Sequence, residues 1–165
     1  EKYIRRDFRI KTKPNKYTKN IMSKIRLQKA VSVHIRRADY VSDIAANKIL
    51  GTCSKDYYQR GIKYLTNKVG KFHIFIFSDD IGWAKDNLKF GQTTTFVDGN
   101  TVANNYDDLR LMSQCQHHII ANSTFSWWGA WLNNSPQKIV IAPRRWFKEG
   151  ALLDCDIIPK DWVRI

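Results

Sequence analysis

From residue 31 onward the chain alternates short apolar runs with longer stretches of helical periodicity. The runs fall at 31–36, 72–77, 95–97, 118–121 and 138–142 and are dominated by Val, Ile and Phe. Nearly continuous β-branched and aromatic runs suit strands covered on both faces. Between the first two runs, Tyr58, Ile62, Leu65 and Val69 recur at helical spacing behind Ser54, a capping residue, which predicts one apolar helix stripe packed on the sheet. Asp79 and Asp80 precede Trp83, Ala84 and Leu88, while Asp107 and Asp108 precede Leu111, Met112 and Cys115. In both places acidic residues stand where a helix N-terminus favours negative charge. Strand and helix alternating in this way predict an α/β fold with a parallel sheet and right-handed crossovers.

Before residue 30 the pattern is different. Residues 1–29 are polar and basic, Pro14 and Asn15 are turn signals, and Ile21, Ile25 and Gln28 are spaced as on a helix. This predicts a basic linker ending in a short helix, followed by one domain over 30–165. The 165 residues, 43% hydrophobic and 13% aromatic, are enough for one buried core and exclude global disorder, but leave little room for a second full domain. No apolar run approaches the roughly 20 residues that cross a bilayer. The start at Glu1, without Met or an apolar segment, resembles neither a natural start nor a signal peptide, so a truncated chain is expected.

The net charge of +13 raises the question of a polyanion partner, and its distribution changes the answer. Residues 1–29 hold seven Lys and four Arg against Glu1 and Asp7, a net of +9, which leaves +4 for the other 136 residues. A solvated leader is the expected reading, with nucleic acid or anionic lipid headgroups as the alternatives. Cys53, Cys115 and Cys155 are odd in number and contain no Cys-x-x-Cys, so neither a disulfide framework nor a zinc knuckle is indicated and a reducing compartment is expected.

In a parallel α/β sheet, ligands bind beyond the carboxyl ends of the strands. Directly after the apolar runs stand Arg36, Arg37 and Asp39; then Ser78, Asp79 and Asp80; then Asn122, Ser123, Thr124 and Ser126. An arginine fork binds phosphate bidentately, so Arg36 or Arg37 suits a diphosphate. Ser123, Thr124 and Ser126, at the start of a helix near Phe125, suit phosphate oxygens. Asp79 or Asp80 can accept from a purine or ribose, and His34, inside the first strand, can add a base contact. Each also has a plainer reading: a salt-bridged surface for the arginines, a helix cap for Asp79 and Asp80, a satisfied core histidine for His34. Adjacent strand residues point to opposite faces, so both arginines can serve one phosphate only if the strand has ended at Arg36.

Other patterns carry less. The eight glycines never occur as Gly-x-Gly, which removes the dinucleotide fingerprint and the Gly-rich P-loop. Asp154-Cys155-Asp156 matches a metal-holding string of some glycosyltransferases but lies in the tail, and no metal site is assigned. The sequons at Asn122 and Asn133 are set aside, the first because it lies within the site. Trp127, Trp128 and Trp131 share nearly one helical face and are expected in the core beneath the site.

The ordered motifs Val33-His34-Ile35-Arg36-Arg37-Ala38-Asp39-Tyr40, Phe77-Ser78-Asp79-Asp80 with Trp83-Ala84, and Ile119-Ile120-Ala121-Asn122-Ser123-Thr124-Phe125-Ser126-Trp127-Trp128-Gly129 resemble those of the α-1,2-fucosyltransferases, glycosyltransferase family 11. The resemblance covers roughly residues 25–147; Ala38 departs from it, since the family usually has Gly there. It implies Rossmann-like domains of the GT-B type, of which this chain is the donor-binding half, without the N-terminal acceptor domain. It further implies inverting transfer of L-fucose from GDP-β-L-fucose to a hydroxyl of a galactose-terminated glycan, with no metal and no other cofactor. By this similarity Arg36 and Arg37 meet the β-phosphate, His34 and Asp79 or Asp80 face guanine and ribose, and Ser123, Thr124 and Ser126 cradle phosphate, with Asp39 and Asn122 in the same site; the base stays unassigned. Fixed cationic donors fit that chemistry, because negative charge builds on the leaving diphosphate. The expected location is cytoplasmic, with peripheral contact at the inner membrane face or with a lipid-linked acceptor. The alternatives are a basic nucleic-acid-binding module and an inactive sugar- or nucleotide-binding domain.

Overall fold

A computed structural model describes residues 1–148 and 156–165. Six strands, all parallel, form one sheet: β1 Ala30–Ile35, β2 His73–Ser78, β3 Thr93–Phe96, β4 His117–Ile119, β5 Val140–Ala142 and β6 Val163–Arg164. Their order is β3-β2-β1-β4-β5-β6, so the sheet is doubly wound and its order reverses between β1 and β4. The five apolar runs became β1 to β5. The sixth strand, two residues long, is too short to carry a periodic signal.

Helices cover both faces: α1 Lys2–Asp7, α2 Lys16–Arg26, α3 Ala38–Ser42, α4 Ile44–Ile49, α5 Lys55–Val69, α6 Ile81–Asn87, α7 Tyr106–Gln114 and α8 Thr124–Leu132. The period of two along β1 divides the core. Val31, Val33 and Ile35 pack with Tyr58, Ile62 and Leu65 of α5, whereas Ala30 and the Phe75 and Phe77 of β2 pack with Leu111 and Met112 of α7. As expected, Ser54 caps α5 by accepting the Tyr57 N–H. Residues 16–26, expected to close a linker, belong to the second layer. Asn15 caps α2 by accepting the Thr18 N–H, and Ile21 and Ile25 are fully buried in the cluster with Phe75 and Met112. Residues 2–7, read as linker, form α1.

Two close approaches fix how helices sit. A Cβ on Gly61 would lie 3.1 Å from Ile119 Cδ1, so α5 crosses β4 at a distance only glycine permits without adjustment. A Cβ on Gly129 would lie 3.0 Å from Met112 Cβ, which sets α8 against α7.

Several polar groups inside the sheet are paired with one another. Asn133 accepts the Ser135 N–H at its Oδ1, which leaves its Nδ2 to donate to the Cys115 carbonyl and to His118 Nε2. His118 therefore carries its proton on Nδ1 and donates to Ser32 Oγ at 2.7 Å. Burial first, then Lys138 and His117, lower its pKa to about 3, so the ring is neutral. The Tyr57 hydroxyl, held over the sheet by α5, reaches the carbonyls of Ile120 and Ile141.

Of the tryptophans of α8, expected in the core, Trp127 and Trp131 are partly buried against the cluster of Ile120, Val140 and Trp146. They cluster with one another, Trp127 donates its indole N–H to the Ile157 carbonyl and packs on Trp162, and Trp128 stacks on Phe8. A helix presenting aromatics so closely spaced needs cover from elsewhere in the chain, and α1 and the C-terminal segment provide it.

Candidate functional site

β1 ends at Ile35, so Arg36 and Arg37 lie past the strand and are free of its alternation. Both turn toward carboxylates. Arg36 Nη2 lies 2.8 Å from Asp39 Oδ1, and its Nε lies 3.2 Å from Asp79 Oδ2, an ion pair whose N–H is not aligned for a hydrogen bond. The Arg37 main-chain N–H donates to Asp79 Oδ1 at 2.8 Å, and its guanidinium pairs with Asp80 Oδ2 at 3.5 Å. Asp80 Oδ1 caps α6 by accepting the Trp83 N–H, and the Arg37 guanidinium lies over the Trp83 ring, 3.8 Å from its centroid. Asp79 and Asp80, expected to read a base or ribose, thus brace the two arginines, and the plainer reading of Asp80 as a cap also holds. The cluster is mutually ion-paired, two cations among Asp39, Asp79 and Asp80.

His34 is expected either as a base contact or as a satisfied core residue. It is buried, 4% exposed, yet its Nδ1 has no hydrogen-bond partner. Its ring lies 5.7 Å from that of Phe125. Burial and then the nearby Arg36 lower its pKa to about 3, so it is a neutral imidazole. A buried orphan nitrogen is costly and is satisfied when a ligand or water reaches it.

The third loop joins the cluster through Tyr40. Its ring lies under Arg36, 5.3 Å away, and its hydroxyl donates to the Asn122 carbonyl. Asn122 itself points inward: its Nδ2 donates to the carbonyls of Leu50, Gly51 and Trp146. Buried, with its Nδ2 shared among three carbonyls, it stitches three loops together. Ser126, expected at phosphate, is likewise buried, and its hydroxyl donates to the Ser123 and Ala121 carbonyls. Ser123 occupies the N-cap position of α8 without a side-chain cap, and Thr124 is exposed. The helix therefore presents N–H groups uncapped by a side chain close to Arg36, His34 and Tyr40, an arrangement suited to an anion.

Cys53 lies in the same region, its Sγ 3.5 Å from Asn122 Oδ1. Burial pushes its thiol up to about 11, which keeps it protonated and unreactive. Beside Asn122 a cavity of about 360 Å³ is lined by Asn47, Thr52, Arg145 and Lys148 among others, while a larger one, about 1040 Å³, lies along α1 and shares no residue with the arginine cluster. Among the described residues no group of three or more His, Cys, Asp or Glu is gathered as for a metal ion. Asp154 and Cys155 lie outside the described residues. Also among the described residues, no helix is long and apolar enough to cross a membrane. The sequence motifs include Tyr40 and Trp83 but give them no role. Their signal was an aromatic four residues after Arg36 and another three after the capping Asp80.

The model of the family "Glycosyl transferase family 11" matches residues 2–165. An alpha-1,2-colitosyltransferase of Escherichia coli is 46% identical over 151 residues, covering 89% of this chain and 51% of that protein. Galactoside alpha-(1,2)-fucosyltransferase 1 of Homo sapiens is 26% identical over 138 residues, 78% of this chain and 38% of that protein. The chain thus spans about half or less of the length of these relatives. A crystal structure of POFUT1 in complex with GDP-fucose superposes with a TM-score of 0.52 at 20% identity, over 78% of this chain and 46% of that one, a likeness of fold.

Proposed function

The chain belongs to glycosyl transferase family 11, and from that premise we propose that it is the donor-binding part of an inverting α-1,2-fucosyltransferase-like enzyme, one that takes a GDP-linked deoxysugar to a galactoside hydroxyl. The observation that carries this reading is the arginine pair past the end of β1, where the strand order reverses, beside the start of α8 that no side chain caps. Nucleotides sit at such reversal points, and a diphosphate leaving group needs fixed positive donors as charge builds on it. His34 Nδ1 offers one further polar contact inside the site. The activity of the human relative supports a fucosyl donor, whereas that of the 46% identical relative favours a second reading, a colitosyl donor in the same site.

The chemistry asked of this chain is limited: bind the diphosphate, hold it in line, and stabilise it as the glycosidic bond breaks. Arginines can supply that without a metal, so the reading includes metal independence. Isothermal calorimetry of the intact protein tests the binding, with GDP expected to bind and ADP to bind more weakly. Transfer assays with fucosyl and colitosyl donors then separate the two readings. Absence of GDP binding, or equal affinity for ADP, overturns the proposal.

A further inference from the structure

We infer that Trp83 and Arg37 form a positioning pair for Arg36, so that of the two adjacent arginines Arg36 meets the donor's anion and Arg37 holds it in place. The inference rests on the donor-site reading above.

The two arginines are committed to different degrees. Arg37 lies over Trp83, its guanidinium carbon 3.8 Å from the ring centroid, and its side chain is 19% exposed. Leaving that face for a ligand would forfeit the cation–π contact and take its cation from Asp80. Asp80 uses one oxygen for Arg37 and the other for the first turn of α6, the helix that carries Trp83. Stack, ion pair and cap are therefore one closed unit, and its conformation is fixed before any ligand arrives.

That unit reaches Arg36 through the main chain. The Arg37 N–H holds Asp79 Oδ1 at 2.8 Å, and the other oxygen of Asp79 lies 3.2 Å from Arg36 Nε. Fixing Arg37 fixes the Asp79 carboxylate, and the carboxylate orients the Arg36 fork. Arg36 is the more open of the two, 32% exposed, and its outer partner Asp39 is 52% exposed on the five-residue helix α3. An incoming phosphate can displace Asp39 from Nη2 while Asp79 continues to brace Nε. The rival account makes Trp83 a plain packing residue, since it also borders the cluster around Val31 and Ile74. Packing alone would lower stability without acting through the arginines.

The test uses the intact protein and measures kcat, donor KM, GDP affinity and thermal melting for Trp83→Leu, Trp83→Phe, Arg37→Lys, Arg36→Lys and the Trp83→Leu/Arg37→Lys double variant. Trp83→Leu is expected to lower kcat about tenfold, with Trp83→Phe restoring most of it, because a ring face suffices for the stack. The double variant should be no worse than about twofold below the poorer single variant, since both act along one route. Arg36→Lys should lower kcat about tenfold more than Arg37→Lys does. Losses that multiply in the double variant, wild-type kcat in Trp83→Leu, or an Arg37→Lys loss equal to that of Arg36→Lys would each overturn the inference. Should Trp83→Leu fail to fold, the comparison of the two lysine variants decides. A wild-type protein that does not bind GDP sinks the donor-site reading as well, whereas intact GDP binding with any of the other adverse results sinks this inference alone.

Discussion

Replacing Asn122 separates a structural stitch from a ligand contact. Its Nδ2 serves the carbonyls of Leu50, Trp146 and Gly51 at 2.8, 3.1 and 3.3 Å, joining the loops before α5 and after β5 to the end of β4. Two N–H hydrogens share three acceptors, so Asn122→Ala removes about two hydrogen bonds' worth of pairing and leaves carbonyls without a donor in a largely closed site. At ~1–2 kcal/mol for each, the loss is about 2–4 kcal/mol. Asn122→Asp keeps the size but sets a carboxylate against three carbonyl lone pairs. Burial and those lone pairs raise the folded pKa above the unfolded one, so the penalty is largest at neutral pH and eases as pH falls. Urea denaturation of the intact protein at pH 7.5 and 5.5 reads both effects. GDP calorimetry on the folded fraction should show near-wild-type affinity, because the Asn122 side chain is spent inside the protein. An Asn122→Ala variant within about 0.5 kcal/mol of wild type, or an Asn122→Asp deficit that does not shrink on acidification, would refute the reasoning.

Further outcomes follow from the same geometry. Arg36→Lys keeps the charge but loses the fork, so its kcat in a transfer assay should fall by about a hundredfold to a thousandfold with a smaller change in melting temperature; kcat near wild type would remove Arg36 from the mechanism. His34 and His118 fold with pKa values of about 3, below the ordinary 6.5, so they contribute stability that is present above pH 6.5 and lost as pH falls toward 3. Asp108, raised to about 6 mainly by burial, opposes one of them below that pH, leaving a net loss on the order of 1 kcal/mol per pH unit between pH 6 and 4 from these three groups. Denaturation midpoints that stay flat over that window would contradict it. EDTA should leave GDP affinity unchanged, and a loss restored by Mg²⁺ or Mn²⁺ would reassign the diphosphate contacts.

Much of the architecture was present in the order of residues. Runs of Val, Ile and Phe at five places, with capping residues such as Ser54 and Asp80 ahead of apolar stripes, specify a parallel α/β sheet because burial on both faces requires apolar residues at successive positions. The family likeness was also legible, since its motifs are short and contiguous. Tertiary structure decided which of the polar residues look outward. Ser126 and Arg36 are equally polar in sequence, yet one donates to buried carbonyls and the other stands part-exposed at the rim. Residues 16–26 looked like the end of a basic leader because their exposed face is lysine-rich, while Thr18, Ile21 and Ile25, with Tyr17 and Met22 beside them, bind them into the core. The partnership of Arg37 with Trp83 and Asp80 crosses more than 40 residues of chain and depends on β1 and β2 lying side by side. Local pattern fixes which face of an element is apolar. Which polar groups meet across elements depends on register and crossing, and those are set by the packing of the whole core.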